Sequence, residues 1–279
     1  MCRLFGQLAD PRLGVSEPLC GAENALRTQS HKHPHGWGIA WYQGRLPTVR
    51  RGVMAAHADE AIVRAARHAR SHLVLAHVRD ASVGRVAIEN THPFVAGSWA
   101  FAHNGTVARY KKSRSVRKAL ECEIGPRLRG RIQGETDSER CFLIFLTRLG
   151  ARSRAHPPGL EAVRDALADL VEVVTGISDR GELRSTLNFL VSDGRLLAAC
   201  RHLKPLHVAP HARDGHVLAL ASEPIGRDGW EEVPEDGFVG VDRALRMLRG
   251  PLFAGRGAHA PSRTSDASAS WAPPRARRR

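Results

Sequence analysis

The sequence predicts an α+β fold built from layered antiparallel sheets, and two observations carry that prediction. Strand-like and helix-like segments follow one another without the regular strand–helix–strand alternation of a doubly wound parallel sheet. Late in the chain, an Asp193-Gly194 pair joins two apolar runs and is typical of a tight hairpin between antiparallel strands. With 279 residues, of which 42% are apolar, the chain can bury a large core.

The first half of the chain alternates between the two kinds of element. Residues 2–9 are an apolar run that ends at Asp10 and Pro11, so we expect a buried strand with the N-terminus inside the structure. Apolar spacing then predicts, in order, a helix at 17–30, strands at 36–43 and 46–52, a helix at 57–70 and a strand at 71–82.

The second half begins with a strand over 98–107 that we expect to stop at an Asn-Gly turn pair. The remaining expected elements are a basic helix at 107–120, an irregular loop at 121–136, helices from 137 and over 159–174, a hairpin at 185–203 and a strand at 216–222. We expect residues 2–255 to form one domain. Residues 256–279 are rich in Ala, Ser, Pro and Arg without periodicity, which predicts a disordered basic tail.

Charge and cysteine content narrow the class of protein. The formal charge is +14, but six Arg and one Asp in the tail supply five of these charges and the rest are spread along the chain, which does not favour a specific nucleic-acid partner. The five cysteines are scattered without a CxxC pair, so we expect reduced thiols, with Cys141 and Cys200 buried. No signal peptide or apolar run of membrane-spanning length is present, and a cytoplasmic protein without a membrane partner is expected.

Cys2 is the first candidate for chemistry. Removal of Met1 would leave a free α-amine beside the thiol, and the pKa of an α-amine lies near about 8, so that this amine can act as a base at neutral pH. Nucleophile and base would then belong to one residue. A cysteine at this position is uninformative by itself, and it gains meaning only from the residues that follow.

Asn104 and Gly105 are candidates for stabilising the oxyanion that attack on an amide would create. The Asn104 side-chain amide and the Gly105 backbone N–H could both donate hydrogen bonds, although an Asn-Gly pair is also a common turn. A substrate that carries an α-carboxylate and an α-ammonium would further need one cation and one anion in the site. Arg79, at a strand end, and Asp137, at a helix start, can supply them, while each alone could be a surface charge or a helix cap.

Six segments are informative because they occur together and in this order: MCRLFG, HGWGIAWY, HVRDAS, THPF, FAHNGT and GETDSE. Together they resemble the class II glutamine amidotransferase family, in particular its stand-alone glutaminase-domain subgroup and the ergothioneine-pathway γ-glutamyl hydrolases. The resemblance covers residues 2 to about 240, and the later segments ASEP and WEEVPEDG also resemble that subgroup.

The resemblance implies a four-layer αββα sandwich of the N-terminal-nucleophile hydrolase type, with Cys2 as nucleophile and Asn104 with Gly105 as oxyanion hole. It also implies that Arg79 and Asp137 hold the substrate's charged groups. His77, Ser82 and Trp37 are expected near the pocket. The subgroup often has an acidic residue directly before its GWGIA segment, and this chain has His35 at that position.

The alternating residues His31, His33 and His35 could suggest a metal site, but the sequence around them favours an exposed loop, and we expect no metal and no cofactor. The leading hypothesis is an amidohydrolase or amidotransferase that cleaves the γ-amide of glutamine or a γ-glutamyl compound through a Cys2 thioester. Any ammonia acceptor would be a separate synthetase, because the chain carries no second-domain signature. The alternative is a non-catalytic binding module whose basic tail contacts nucleic acid or an acidic protein.

Overall fold

Two antiparallel sheets stack face to face at the centre of the computed structural model, which describes residues 2–152, 157–212, 217–227 and 229–255. The first sheet has the strand order β11-β9-β10-β1-β4-β2-β3. Its strands are β1 (Arg3–Gly14), β2 (Trp37–Tyr42), β3 (Pro47–Gly52), β4 (Arg70–Val78), β9 (His207–Ala212), β10 (Val217–Ala221) and β11 (Glu231–Glu232).

The second sheet has the order β13-β12-β8-β7-β6-β5, and its strand pairs are antiparallel as well. Its strands are β5 (Phe94–Ala96), β6 (Trp99–Thr106), β7 (Thr186–Ser192), β8 (Leu196–Cys200), β12 (Gly237–Asp242) and β13 (Met247–Pro251). The helices are α1 (Leu26–Gln29), α2 (Glu60–His68), α3 (Arg114–Cys122), α4 (Pro126–Arg129), α5 (Asp137–Arg152) and α6 (Leu160–Ser178).

Alternation along the strands divides the interior into three apolar layers. On β1, Leu4 and Leu8 point between the sheets, where they pack with Ala100 and Leu190 of the second sheet. The neighbouring Phe5 packs on the opposite face, in the layer shared with α1 and α2. The outer face of the second sheet packs against α3, α5 and α6. The expected four-layer αββα sandwich is therefore confirmed.

The helix predicted over 17–30 is wrong as a single element. A π-helical turn covers Glu17–Gly21, and α1 follows separately over Leu26–Gln29. Asn24 lies between them with φ of 56°, a left-handed conformation that interrupts a helix. Its side-chain amide donates to the Pro224 carbonyl at 2.9 Å, so a contact distant in sequence holds the break.

The strand predicted to stop at an Asn-Gly turn instead runs through both residues to Thr106. Asn104 and Gly105 pair with Asn188 and Leu187 of β7, and this ladder replaces the turn. The helix predicted from residue 107 begins only at Arg114, because residues 108–112 form turns and the Ser113 side chain caps the helix by accepting from Val116 N.

Other departures are smaller. The loop expected at 121–136 contains the short helix α4, and β5, β9 and β11 to β13 were not predicted. Pro210 interrupts the apolar alternation of β9, which hides that strand in the sequence.

The five cysteines are free thiols, and Cys141 and Cys200 are fully buried, as expected. No helix within the described ranges is long and apolar enough to cross a membrane. The predicted tail lies outside the described residues.

Candidate active site

Cys2 lies immediately before β1, at the end of the sandwich where β1 and β4 are paired through Arg3 and Val78. It is 8% exposed, and its Sγ accepts a hydrogen bond from the backbone N–H of Asp80 at 3.3 Å. Burial raises the pKa of the Cys2 thiol to about 11. The resting thiol is therefore protonated at neutral pH, and attack by its sulfur requires a base.

Asn104 faces the first sheet from β6, because it shares its side of the strand with Ala100 and Ala102, which pack between the sheets. Its Nδ2 donates to Ser222 Oγ at 3.0 Å, and the same hydroxyl accepts from Leu4 N at 2.9 Å. Ser222 therefore ties the candidate oxyanion donor on one sheet to the strand that follows Cys2 on the other. The buried Asn104 Oδ1 has no partner among the described residues.

Gly105 is required by the close approach of the neighbouring strand. A Cβ atom at this position would lie 1.7 Å from the Thr186 carbonyl oxygen and 2.6 Å from His103 Nε2. Both distances are below any contact that atoms can adopt, and the first atom belongs to the backbone. The glycine thus lets β6 and β7 pair directly beside Asn104, and it fixes the backbone of the candidate oxyanion hole.

Arg79 follows β4 and is 2% exposed. Its guanidinium donates to the carbonyls of Val83 at 2.8 Å, Arg85 at 2.9 Å and Gly84 at 3.3 Å, which closes the 79–85 loop around it. Burial lowers the pKa of Arg79, and the Cys2 sulfur, when ionised, and the Asp137 carboxylate act in the opposite direction. Both therefore lie near the guanidinium, which remains a cation at any physiological pH.

Asp137 is the first residue of α5 and is also buried. Its Oδ2 accepts from the backbone N–H of Val107 at 2.7 Å, and its Oδ1 accepts from Ser138 N at 2.9 Å. The carboxylate therefore joins the start of α5 to the segment directly after Asn104 and Gly105. A negative charge at this position is also favoured by the positive end of the helix dipole.

The three remaining expected site residues are placed differently from one another. His77 is buried near the end of β4, and its Nε2 is 3.3 Å from the His103 carbonyl. Ser82 Oγ lies 3.2 Å from Thr106 Oγ1, so it bridges the 79–85 loop to the end of β6. Trp37 instead packs in the helical layer, where its indole N–H donates to Asp59 at 2.8 Å.

The sequence missed Ser222 and two buried histidines as site residues. Ser222 belongs to the ASEP segment, which resembled the family subgroup and could have indicated it. His33 and His92 are 4% and 3% exposed, and neither ring nitrogen of either residue has a partner among the described residues. His92 packs against His77 with ring centroids 4.2 Å apart and ring planes inclined by 35°.

The expectation of an exposed loop over the three alternating histidines is wrong for His33. Burial lowers its pKa to about 4, so the ring is neutral at physiological pH. Its neighbour His35 accepts a hydrogen bond from Ala81 N at 3.1 Å, which holds this segment against the loop that contacts Cys2. In the described part of the chain, a group of three potential metal ligands occurs elsewhere, at His202, Glu235 and Asp236.

Comparison with known proteins decides the family. Residues 1–220 match the family model described as glutamine amidotransferases class-II. The chain belongs to this family. Membership of the family indicates an enzyme of the N-terminal-nucleophile type that acts as an amidohydrolase or amidotransferase.

Similar curated proteins include two that the chain covers well. It is 32% identical over 268 residues to a γ-glutamyl-hercynylcysteine sulfoxide hydrolase of Mycobacterium tuberculosis, an alignment covering 90% of this chain and 100% of that protein. It is 31% identical over 214 residues to the putative glutamine amidotransferase YafJ of Escherichia coli, with 71% of this chain and 72% of that protein covered.

Solved structures show the same fold. A glutamine aminotransferase class-II domain protein from Silicibacter pomeroyi superimposes with a TM-score of 0.63 at 23% identity, covering 90% of this chain and 98% of that one. Glutamine phosphoribosylpyrophosphate amidotransferase from B. subtilis gives a TM-score of 0.62 at 17% identity. The chain described here covers 49% of that longer chain.

Proposed function

We propose that this amidotransferase cleaves the γ-amide of a small γ-glutamyl compound, with Cys2 as an N-terminal nucleophile after removal of Met1. The observation that supports the proposal is the position of the buried Cys2 thiol at the same end of the sandwich as Asn104, with Arg79 and Asp137 in the same region. One sheet would supply the nucleophile and the other the oxyanion donors.

The reaction begins with proton transfer from the thiol to the Cys2 α-amine. A thiol pKa of about 11 makes this transfer necessary, because little thiolate exists beforehand. The sulfur then bonds to the amide carbon, and the oxyanion accepts hydrogen bonds from Asn104 Nδ2 and Gly105 N–H. The α-ammonium returns its proton to the leaving nitrogen as the carbon–nitrogen bond breaks, which leaves a thioester and releases ammonia or an amine.

Water completes the reaction. The α-amine takes one of its protons as the oxygen bonds to the thioester carbon, and the sulfur departs with that proton to regenerate the thiol. Asn104 and Gly105 serve the second oxyanion as they served the first. One residue thus acts as nucleophile, base and acid in turn, so the chain needs no further proton carrier for either half-reaction.

Arg79 and Asp137 would select the glutamyl group. Three hydrogen bonds to loop carbonyls use three of the five guanidinium N–H donors of Arg79, which leaves donors for an α-carboxylate. Asp137 would accept from the α-ammonium. Two opposite charges at fixed positions favour a substrate that ends in a free amino acid over a neutral amide.

The substrate class that we favour is a γ-glutamyl conjugate with a small amine, with glutamine as the simpler member. The match to the full length of a γ-glutamyl-hercynylcysteine sulfoxide hydrolase supports this choice. Where glutamine is the substrate, the ammonia would pass to a separate synthetase. We place the reaction in the cytoplasm, a proposal supported by the five free thiols.

Replacement of the nucleophile tests the proposal. Cys2→Ala should abolish product formation from glutamine and from γ-glutamyl amides, while the circular dichroism spectrum stays unchanged, because the sulfur is the attacking atom. Cys20→Ala, which removes a half-buried thiol of the first helical layer, is the matched control and should keep full activity. Turnover by Cys2→Ala at the wild-type rate would assign the nucleophile to another residue.

The free α-amine requires its own test. Insertion of one alanine before Cys2 moves the amine away from the thiol while it preserves the cysteine itself, so activity should be lost. Intact-mass measurement of the active wild-type protein should show that Met1 is absent. An active protein that retains Met1 would contradict the proposed base. A wild-type protein that binds γ-glutamyl compounds without turning them over would favour the binding-module alternative.

A further inference from the structure

A cavity of about 750 Å³ opens beside the candidate active site and is lined on one wall by four cations. These are Lys111, Arg114, Arg117 and Lys118, from the turn before α3 and from the helix itself. The volume falls within the range of about 300 to 1,000 Å³ that is typical of small-molecule sites. The cavity can therefore hold a ligand of metabolite size.

The acidic residues that line the cavity are already engaged. Glu121 Oε1 accepts from Arg140 at 3.0 Å, so this fifth cation lining the cavity neutralises it. Glu135 accepts from the backbone N–H of Arg85 at 3.1 Å. Five cations and two carboxylates leave a net positive charge in the cavity, and the four cations of the first wall make no ion pair with any residue that the structure describes.

The four cations line the same wall of the cavity. Lys111, Arg114 and Lys118 make no ion pair within the described ranges of the chain, and each is exposed. Arg117 donates to the carbonyls of Tyr110 at 3.2 Å and Lys111 at 3.1 Å, which folds its guanidinium back over the turn. Concentrated positive charge of this kind repels itself and is relieved by a bound anion.

The N-terminal end of α3 adds to this positive charge. The helix begins at Arg114, and its first turn contains no acidic residue. The positive end of the helix dipole therefore lies among side chains of the same sign, an arrangement that lowers helix stability in the absence of an anion. Guanidinium groups bind phosphate oxygens in a bidentate manner, and ammonium groups add mobile donors around them.

From this charge, size and donor chemistry we propose that the cavity binds a small polyanion, namely a compound that carries two or more adjacent phosphate groups. Adjacent phosphates match a wall of four neighbouring cations better than a single carboxylate, which one arginine satisfies. A nucleic-acid strand would use an extended track of charge rather than a concave cavity, and the test below separates the two ligands.

The cavity is distinct from the glutamyl site although it adjoins it. None of Cys2, Arg79, Asn104 or Asp137 lines it. Its remaining wall includes Val83 and Gly84, whose carbonyls accept hydrogen bonds from the Arg79 guanidinium. A ligand in the cavity would contact the loop that holds Arg79 in place, but its binding does not depend on the proposed reaction.

Isothermal titration of the full-length wild-type chain with pyrophosphate and tripolyphosphate, without any glutamyl substrate, tests the proposal. Both should bind at low ionic strength, and tripolyphosphate should bind more tightly. The double variant Lys111→Gln/Lys118→Gln should raise both dissociation constants by about 10-fold or more, because charge-assisted hydrogen bonds are lost. Arg114→Gln should weaken binding in the same direction.

The matched control is Arg127→Gln/Arg131→Gln, which removes two exposed positive charges near α4 that do not line the cavity. It should leave both dissociation constants within about twofold of wild type, and circular dichroism should confirm that every variant is folded. Equal weakening in the cavity and control variants would overturn the proposal, as would the absence of binding by either anion at millimolar concentration. Binding of a short oligonucleotide that pyrophosphate does not displace would also overturn it.

Discussion

The two ends of the space between the sheets differ in whether their buried polar groups have hydrogen-bond partners. At the end away from Cys2, the Tyr42 hydroxyl lies 2.8 Å from the Ser98 carbonyl and 2.9 Å from the Ser192 carbonyl. Ser71 Oγ donates to the Tyr42 carbonyl at 2.6 Å and accepts from two backbone N–H groups. Every polar side-chain atom of Tyr42 and Ser71 has a partner, as buried groups in structural positions require.

At the Cys2 end, several buried polar atoms have no partner among the described residues. They are Asn104 Oδ1, His77 Nδ1 and both ring nitrogens of His33 and of His92. Leaving such atoms unpaired costs stability. The difference indicates that one end of the sandwich closes the fold, while the other keeps hydrogen-bonding capacity that a substrate or water can use. The following predictions test this division, from the largest expected effect to the smallest.

Asn104→Ala should reduce kcat by about 100-fold to 1,000-fold, because it removes a donor to the oxyanion. Its effect on the free energy of unfolding should be small, since the Asn104 side chain satisfies few partners in the resting protein. Steady-state kinetics and urea unfolding measured on the same preparation check both statements. Loss of stability with unchanged kcat would make Asn104 a structural residue and would break the comparison.

Arg79→Ala and Asp137→Ala should each lower kcat/KM by about 10-fold to 150-fold, the equivalent of one charge-assisted hydrogen bond. The loss should depend on the substrate. Arg79→Ala should add little further loss on an analogue without the α-carboxylate, and Asp137→Ala should add little on one without the α-amine. Equal proportional losses on all substrates would show that the two residues support the fold and do not hold the glutamyl group.

Tyr42→Phe should show the opposite pattern from Asn104→Ala. It leaves the carbonyls of Ser98 and Ser192 without their donor, so the free energy of unfolding should fall by about 1 to 3 kcal/mol. The kinetic constants should stay within twofold of wild type, about 0.4 kcal/mol in activation free energy. A large fall in kcat would show that the two ends of the sandwich are coupled.

The buried histidines predict a loss of stability in acid. Burial lowers the pKa of His77 to about 3, whereas the unfolded value is about 6.5. The unfolded state therefore binds the proton first as the pH falls, and stability present above pH 6.5 is lost toward pH 3. Between pH 7 and pH 5, this residue alone should account for about 2 kcal/mol.

Urea unfolding at several pH values measures this slope, and His77→Asn should make it shallower. Tyr42→Phe, whose hydroxyl does not titrate in this range, should lower stability equally at each pH and serves as the control. A pH slope that is the same in His77→Asn and in wild type would mean that other groups control the acid sensitivity.

The apolar strands and the late hairpin could be predicted from the sequence because they depend on local periodicity. The strand through Asn104 and Gly105 could not, since β7, more than 80 residues away, converts an apparent turn into a ladder. Asn24 shows the same limit, because its helix-breaking conformation is held by the Pro224 carbonyl. The family resemblance named Cys2 and its expected partners, whereas the buried His33 could only be recognised once its loop was placed against residues 79–81.

The crowding around Gly105 has a consequence for altering this enzyme by directed evolution. No side chain fits at residue 105, so any substitution of Gly105 in a mutant library should give an inactive variant. The permitted diversity lies in the flanking loops, where Ser82 and the half-buried residues 108 and 109 border the same region without being locked into a ladder. New substrate preferences would therefore be acquired by changing these loops around an invariant Asn-Gly step.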